Sequence, residues 1–193
     1  AYGPVSVWES QGVLGGQSTP VKAQARVQDV LGRIAVTGSS DLEIQTENLQ
    51  SLWETEKNLT LVLDYMPSVA QGPLQAHRWH QLVWVKEQKN GKQVHIRGFV
   101  NGVEYANAGP LLLKFMDPAT GRIRPGKGSI AGFGVYRGAW SQAKIMEYAD
   151  LWEKGIRAGG ILGKAGFEVS PRQIDQQNIF MKATEPEGEG IAY

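Results

Sequence analysis

The amino-acid sequence predicts an all-β fold of antiparallel strands, and three observations support this prediction. Glycine supplies 24 of the 193 residues and proline 9, and this glycine share is well above the roughly 7% of an average protein. Two Asn-Gly pairs, Asn90-Gly91 and Asn101-Gly102, favour tight hairpin turns. Several segments alternate apolar and polar residues with period two, as half-buried strands do. Short segments of this kind, separated by turn residues, indicate a sandwich of two sheets.

The first part of the chain, residues 1–40, contains short strand candidates and a loop. Val5–Trp8 is a short strand candidate, and Gly12–Pro20 is rich enough in glycine to indicate a loop. Val21–Val27 alternates apolar and polar residues and predicts a half-buried strand. Ile34–Val36 predicts a further short strand before a turn.

The middle of the chain gives the clearest strand predictions. Asp41–Gln45 alternates, so that Leu42 and Ile44 are expected to face the core. Leu59–Tyr65 and Trp79–Val85 are apolar and rich in β-branched and aromatic residues, which predicts two well-buried strands. Between Asp41–Gln45 and Leu59–Tyr65, leucine and tryptophan at helical spacing predict a helical turn within residues 47–56.

The two Asn-Gly turns predict a three-stranded antiparallel meander. Its strands are Trp79–Val85, Gln93–Val100 and Val103–Tyr105, joined at the Asn-Gly pairs. Beyond it, residues 116–130 contain several turn signals and are expected to form a loop. Ser129–Tyr136 then predicts a strand of small and apolar residues.

Residues 141–157 allow two interpretations. Helical spacing favours a helix that begins after Ser141, a possible N-cap, and ends before Gly159. The apolar residues with this spacing are Ile145, Tyr148, Ala149, Trp152 and Ile156. The alternative is a strand with a bulge near Asp150.

The C-terminal arm, residues 158–193, looks like an extension of the domain. It has few apolar groups, and its acidic, glycine-rich end has almost nothing to bury. We expect such an arm to lie on its own domain or on a neighbouring molecule. The apolar residues expected to anchor it in an assembly are Phe167, Ile179, Phe180 and Tyr193.

Composition excludes several classes of function. The formal net charge of +1 gives no electrostatic basis for binding nucleic acid. Cysteine is absent, which excludes disulfide scaffolds, thiolate metal sites and cysteine nucleophiles. The sequence has no apolar run of about 18 residues, so no membrane span is predicted. No signal peptide is visible at residues 1–8.

The segment Arg78–Lys86, the Asn90-Gly91 turn and the segment Val94–Ala106 together resemble the laminin G-like and concanavalin A-like jelly-roll family. Domains of this family typically carry a Trp-His pair that opens a strand, then a hairpin, then a Tyr-Val-Asp-Gly-type turn. In this chain Trp79-His80 and Phe99–Val103 occupy those places.

The resemblance covers roughly residues 40–156 and implies an antiparallel two-sheet jelly-roll sandwich with N- and C-terminal arms. The expected divisions are N-terminal strands or an arm over 1–40, a sandwich core over 41–157, and the arm over 158–193. It also implies a late bulged strand within residues 145–156, against the helical spacing. No single activity follows, because unrelated functions share such folds.

The carboxylates do not match a glycosidase of this superfamily, in which Glu-x-Asp-x-x-Glu lies on one strand. Glu147 and Asp150 are three residues apart and would face opposite sides of a regular strand, with Glu153 further along. With no catalytic serine arrangement and no cysteine, we expect no enzymatic activity. An endoglycosidase is a remote alternative.

Weaker candidates concern calcium, histidine and sugar. Asp117 and Asn107 are a possible loop pair for calcium, although a turn is the simpler role for Asp117. The fold signature predicts a half-exposed His80 beside a buried Trp79. Trp53 and Trp140 are the tryptophans expected to be exposed and available for stacking on a carbohydrate.

These observations lead to one principal expectation and one alternative. The principal expectation is a non-enzymatic structural or attachment protein of a larger assembly, bound to protein partners through its arms and without a cofactor. Jelly rolls with arms look like bacteriophage virion components such as capsid decoration proteins or tail adhesins, which implies a virion or extracellular surface location. The alternative is a carbohydrate-binding module, with calcium as a possible cofactor.

Overall fold

A computed structural model describes residues 4–5, 8–9, 17–31, 33–38, 41–157 and 190–192, which form two antiparallel sheets and three helices. The strands are β1 (Pro4–Val5), β2 (Trp8–Glu9), β3 (Gln17–Val21), β4 (Ala25–Val30), β5 (Arg33–Gly38), β6 (Leu42–Thr46), β7 (Leu59–Met66), β8 (His80–Lys89), β9 (Gln93–Val100), β10 (Val103–Tyr105), β11 (Met116–Asp117), β12 (Arg122–Gly126), β13 (Ser129–Arg137) and β14 (Gly190–Ala192). The helices are α1 (Leu49–Thr55), α2 (Ala108–Phe115) and α3 (Gln142–Arg157).

The large sheet has the strand order β1-β4-β5-β13-β7-β8-β9-β10, and β14 also pairs with β13. The small sheet has the order β11-β12-β6-β3-β2. Every described strand pair is antiparallel, and the main core lies between the two sheets. The all-β sandwich predicted from the sequence is therefore confirmed at this level.

The predicted meander is present as β8, β9 and β10. Its turns have positive φ at both central residues, 48° and 88° at Asn90-Gly91 and 51° and 84° at Asn101-Gly102. Positive φ at two successive residues matches the right-handed twist of the flanking strands, and asparagine and glycine adopt it at low cost.

The large sheet buries side chains on both of its faces. Along β7, Leu61 and Leu63 point into the core between the sheets, whereas Val62 and Asp64 point to the opposite face. The ring of Phe115, on α2, packs against the first core at 4.8 Å from Tyr65 and 6.2 Å from Trp84. Continuous apolar runs such as that in β7 follow from this two-sided burial.

Helix α3 covers the second face of the large sheet. Ile145, Tyr148, Ala149 and Trp152 are buried, and the Ser141 hydroxyl accepts a hydrogen bond from the Lys144 N–H at 3.2 Å. The helical spacing therefore predicted this element correctly. The bulged strand implied by the resemblance is wrong, because only a helix places these four residues on one buried stripe.

Three other segments differ from the sequence predictions. The predicted loop Gly12–Pro20 contains most of β3, and the predicted loop over 116–130 contains β11 and β12. The predicted strand Val21–Val27 is interrupted after Val21, where Lys22 has a φ of 67°. Glycine and proline usually indicate loops, but here Pro20 and Pro125 lie within short strands of the small sheet.

The sequence patterns did not identify α2. Pro110 lies in its first turn, where a missing N–H costs no helical hydrogen bond, and Leu111, Leu112 and Phe115 form its buried side. That combination was a usable signal for a short helix.

The predicted boundaries at residues 40 and 157 stay predictions. On the N-terminal side, β3 pairs with β6 and β5 pairs with β13, so these strands belong to the two sheets. Of the predicted arm residues, Phe167, Ile179, Phe180 and Tyr193 lie outside the described residues. No helix in the described part of the chain has the length and apolar content needed to cross a membrane.

Candidate functional site: a groove beside helix α3

A groove of about 690 Å³ lies where four segments of the chain meet. Its walls are the β4–β5 turn, the residues that precede β8, the β9–β10 turn and one side of α3. Concave sites of about 300–1,000 Å³, mainly apolar with a few polar groups, are the usual form of binding sites.

Large exposed apolar side chains are concentrated at this groove. Leu31 is 64% exposed, Val103 70% and Met146 56%, and all three line it. They are half of the six large hydrophobic residues that are exposed in the described part of the chain. Because isolated exposed residues need no explanation but a contiguous apolar patch does, this clustering makes the groove the candidate interaction site.

Two of the lining residues have unusual backbone conformations. Leu31 has a φ of 47° and His77 a φ of 55°, a region that residues other than glycine and asparagine rarely adopt. Such conformations cost about 1 kcal/mol or more each and are found disproportionately at functional sites. Leu31 opens the two-residue turn between β4 and β5, where positive φ is the usual geometry, so its unusual feature is an exposed leucine at a position that favours asparagine or glycine.

Trp79 forms one wall and is held in place on two sides. Its indole N–H donates to the Val30 carbonyl at 3.0 Å, which fixes the ring to the β4–β5 hairpin. The guanidinium carbon of Arg33 lies 5.2 Å from the Trp79 ring centroid and 5.9 Å from that of Trp152. This cation–π arrangement joins the hairpin, the wall and α3.

Beneath that wall lies a buried ion pair. The Arg33 guanidinium donates to the Asp64 carboxylate at 2.9 Å, and both residues are 1% exposed. Burial raises the pKa of Asp64 to about 6, although the Arg33 charge and hydrogen bond and the nearby Trp152 indole each lower it. The carboxylate therefore takes up a proton at a higher pH than an exposed aspartate does.

Several buried polar atoms around this pair have no hydrogen-bond partner among the described residues. They are Arg33 Nε and Nη1, and Gln81 Nε2 and Oε1. Asp64 and Gln81 are direct cross-strand partners on β7 and β8. Burying such groups without partners is costly, so a concentration of them is a second sign of a functional region.

His80 stabilises the floor of the groove as a neutral side chain. Asn101 Oδ1 accepts from the Gln81 N–H at 2.9 Å, so its amide nitrogen faces His80 Nδ1 at 3.3 Å. Nε2 accepts a hydrogen bond from the Gln75 N–H at 3.0 Å and also lies 3.2 Å from the Gln75 carbonyl. Burial lowers the pKa of His80. The expected half-exposed histidine is wrong: His80 is 5% exposed, because both ring nitrogens have polar neighbours.

The tryptophans differ from expectation in an informative way. Trp140 is 5% exposed and packs at 4.8 Å from Tyr136 and 5.0 Å from Tyr148, so the prediction of an exposed ring is wrong. The Trp140 backbone N–H donates to the Thr60 hydroxyl, which holds the segment after β13 against the sheet. Trp79, expected to be buried, is only half-buried and lines the groove.

Trp53 is half-buried, and one side of its ring is covered. Lys86 Nζ lies 4.9 Å from the ring centroid and donates to the Trp53 and Glu56 carbonyls. Burial lowers the pKa of Lys86. The ring therefore has at most one face available to a ligand.

The proposed calcium pair is divided by a helix. Asn107 precedes α2 and Asp117 follows it, so eight helical residues, about 12 Å, separate them. Arg124 lies 3.7 Å from the Asp117 carboxylate, within a second pocket of about 310 Å³ that also contains Lys22 and Arg122. Among the described residues, no three histidine, aspartate or glutamate side chains form a group that could hold a metal.

Of the carboxylates weighed for glycoside hydrolysis, Asp150 and Glu153 line the groove and Glu147 does not. They lie on α3, where residues three apart share a face. His77 and Arg78, which precede β8, also line the groove. The groove therefore presents acidic groups on α3 and a basic group on the segment before β8.

Comparison of the chain with protein-family models, with curated proteins and with solved structures found no match. The laminin G-like resemblance accordingly stays a prediction.

Proposed function

We propose that this chain is a non-enzymatic attachment protein that binds a segment of a partner protein in the groove beside α3. The observation that carries the proposal is the convergence of Leu31, Val103 and Met146, all more than half exposed, on one concave site. Water is displaced from this apolar surface when a partner covers it, and that displacement is the main driving force of association.

The types of residue in the groove favour a protein partner. Tryptophan, methionine and arginine are enriched in protein interfaces, and the groove contains Trp79, Met146 and Arg78. Because Trp79 is already fixed by Val30 and Arg33, binding costs little side-chain entropy at this position.

Charge defines the partner further. Asp150 and Glu153 line the groove from α3 and Arg78 lines it from the segment before β8, so a bound segment with an apolar anchor and charged residues of both signs would fit it. Complementary charges of this kind set the orientation of the bound segment more than its affinity.

The sequence-based assignments refine this proposal. We propose a jelly-roll topology of the laminin G-like and concanavalin A-like kind, which the antiparallel pairing of both sheets supports. Within a virion, a capsid decoration protein would bind a shell subunit in the groove, and a tail adhesin would bind a host surface protein.

The test uses peptides selected from a random library against the whole chain, followed by calorimetric titration of synthetic peptides. Val103→Asp and Met146→Asp are expected to weaken binding at least tenfold, because each puts a charge on the apolar wall. The matched control is Val69→Asp, since Val69 is 59% exposed and does not line the groove. Failure to select any peptide, or equal loss in the control, would contradict the proposal.

A carbohydrate is the second candidate, because half-buried Trp79 lies beside Asn101 and Asp150 in the concave site. A sugar would stack on the ring and hydrogen-bond to the polar groups. A glycan array, with and without calcium, tests it. If Met146→Asp abolishes glycan binding and Trp53→Ala leaves it unchanged, the sugar binds in the groove. If only Trp53→Ala abolishes glycan binding, the sugar site lies elsewhere.

A further inference from the structure

One edge of β13 is divided between two strands. β5 pairs only with Ser129 and Ile130, and then continues as a hairpin with β4. Further along the same strand, residues Gly134, Val135 and Tyr136 pair with Ala192, Ile191 and Gly190 of β14. The opposite edge of β13 pairs with β7 along its length.

The residues of β13 that β14 covers are buried, with Val135 at 0% and Tyr136 at 3% exposure. A strand in the middle of a sheet cannot leave its N–H and C=O groups without partners at low cost. An unpaired edge is also a template on which another extended segment can add. This three-residue edge, which we call the β13 slot, therefore requires a strand.

The connection between α3 and β14 is long enough to allow a choice of partner. Residues 158–189 separate the two elements, and a chain of that length spans at most about 110 Å when extended. The backbone hydrogen bonds that β14 makes in the slot are the same whether the slot belongs to its own chain or to a second copy. Exchange of an identical element between copies is a low-cost route to association.

We propose that β14 also pairs with the β13 slot of a second copy, so that copies of this chain join by exchanging their last strand. This inference is independent of the groove, because it uses a different surface. Because β14 is tethered to its own chain, its effective concentration towards its own slot is in the millimolar range. A second copy competes for β14 only at a similar local concentration, so exchange is expected when copies are held close together. An assembly in which neighbours touch provides that condition.

Cysteine variants test this directly, because the chain has no cysteine of its own. Val135→Cys in one copy and Ile191→Cys in another place the thiols opposite each other only when β14 crosses between copies. Mixing the two single variants under mild oxidation at increasing protein concentration should give a disulfide-linked dimer. The expected yield is at least tenfold above that of Val94→Cys mixed with Ile191→Cys, because Val94 is exposed on β9, away from the slot.

The double variant Val135→Cys/Ile191→Cys measures pairing within one chain. This variant should form its disulfide within one chain, which shows that the two positions are opposite each other. Exchange is refuted if it does so while the mixed single variants give no more dimer than the control up to millimolar concentration. Light scattering gives a second measure: the average mass should rise with concentration for the full chain and not for a variant without residues 190–193. An unchanged rise in that variant would also overturn the proposal.

Discussion

The Arg33 guanidinium donates to the Asp64 carboxylate across 2.9 Å on the face of the large sheet that α3 covers. Arg33 belongs to β5 and Asp64 to β7, and the same guanidinium lies over the rings of Trp79 and Trp152. A single side chain therefore contacts the sheet, the wall of the groove and the covering helix. Changes at this pair should affect both the fold and the shape of the groove.

Replacing the arginine should be costly. Arg33→Met leaves Asp64 buried without a counter-charge, and removing one member of a buried ion pair costs about 3–5 kcal/mol. Adding Asp64→Asn should restore part of that loss, because the uncompensated charge is then gone. Urea unfolding measures both variants. Arg137→Met is the control, because its pair with Glu56 is half exposed, and it should cost less than about 1 kcal/mol.

Stability should depend on the protonation of Asp64. Its pKa rises from 3.8 to about 6 on folding, so the folded chain binds this proton more tightly. The proton on Asp64 therefore adds to the free energy of unfolding. This stabilisation is fully present below pH 4 and is lost as the pH rises through 6. A rise of about two pKa units corresponds to about 3 kcal/mol. Unfolding of the natural chain and of Asp64→Asn from pH 4 to 7 isolates this effect, and an opposite slope of the difference would contradict it.

The two hairpin glycines provide a matched pair. Gly91 and Gly102 have φ values of 88° and 84°, so alanine is strained at both. A Cβ at Gly91 meets nothing within 4 Å, whereas one at Gly102 lies 3.1 Å from the Ala149 Cβ on α3. We expect Gly91→Ala to cost about 1 kcal/mol by strain alone. Gly102→Ala should cost more and should also weaken groove binding; equal thermal stabilities would show that α3 does not contact this turn.

Two further glycines should respond with opposite signs. A Cβ at Gly98 would lie 2.7 Å from the Ala108 Cβ and 3.1 Å from Trp84 Cδ1, so Gly98→Ala must displace α2 or the core and should cost about 1–3 kcal/mol. Gly109, in the first turn of α2, has open space around it. Gly109→Ala should stabilise the chain by up to about 1 kcal/mol. Thermal unfolding of the two variants decides both statements.

Features that depend on neighbouring residues could be predicted from the sequence. The Asn-Gly turns require positive φ and were predicted. The spacing of Ile145, Tyr148 and Trp152 defines a helical stripe and favoured the helix, but the bulged strand stayed open as the alternative. The exposure of Trp140 and Trp79 depends on distant partners such as Thr60 and Val30, which no local pattern contains. The pair of Arg33 and Asp64 was missed for the same reason.

The position of Arg33 between Trp79 and Trp152 also has a consequence for the order in which the chain folds. These residues come from the beginning, the middle and the far end of the described core. During synthesis the groove cannot form until α3 has been made and has packed on the sheet. Contacts between such distant segments slow folding. A chain truncated before α3 lacks one wall of the groove and should have no binding activity, so ligand binding would report that α3 has docked.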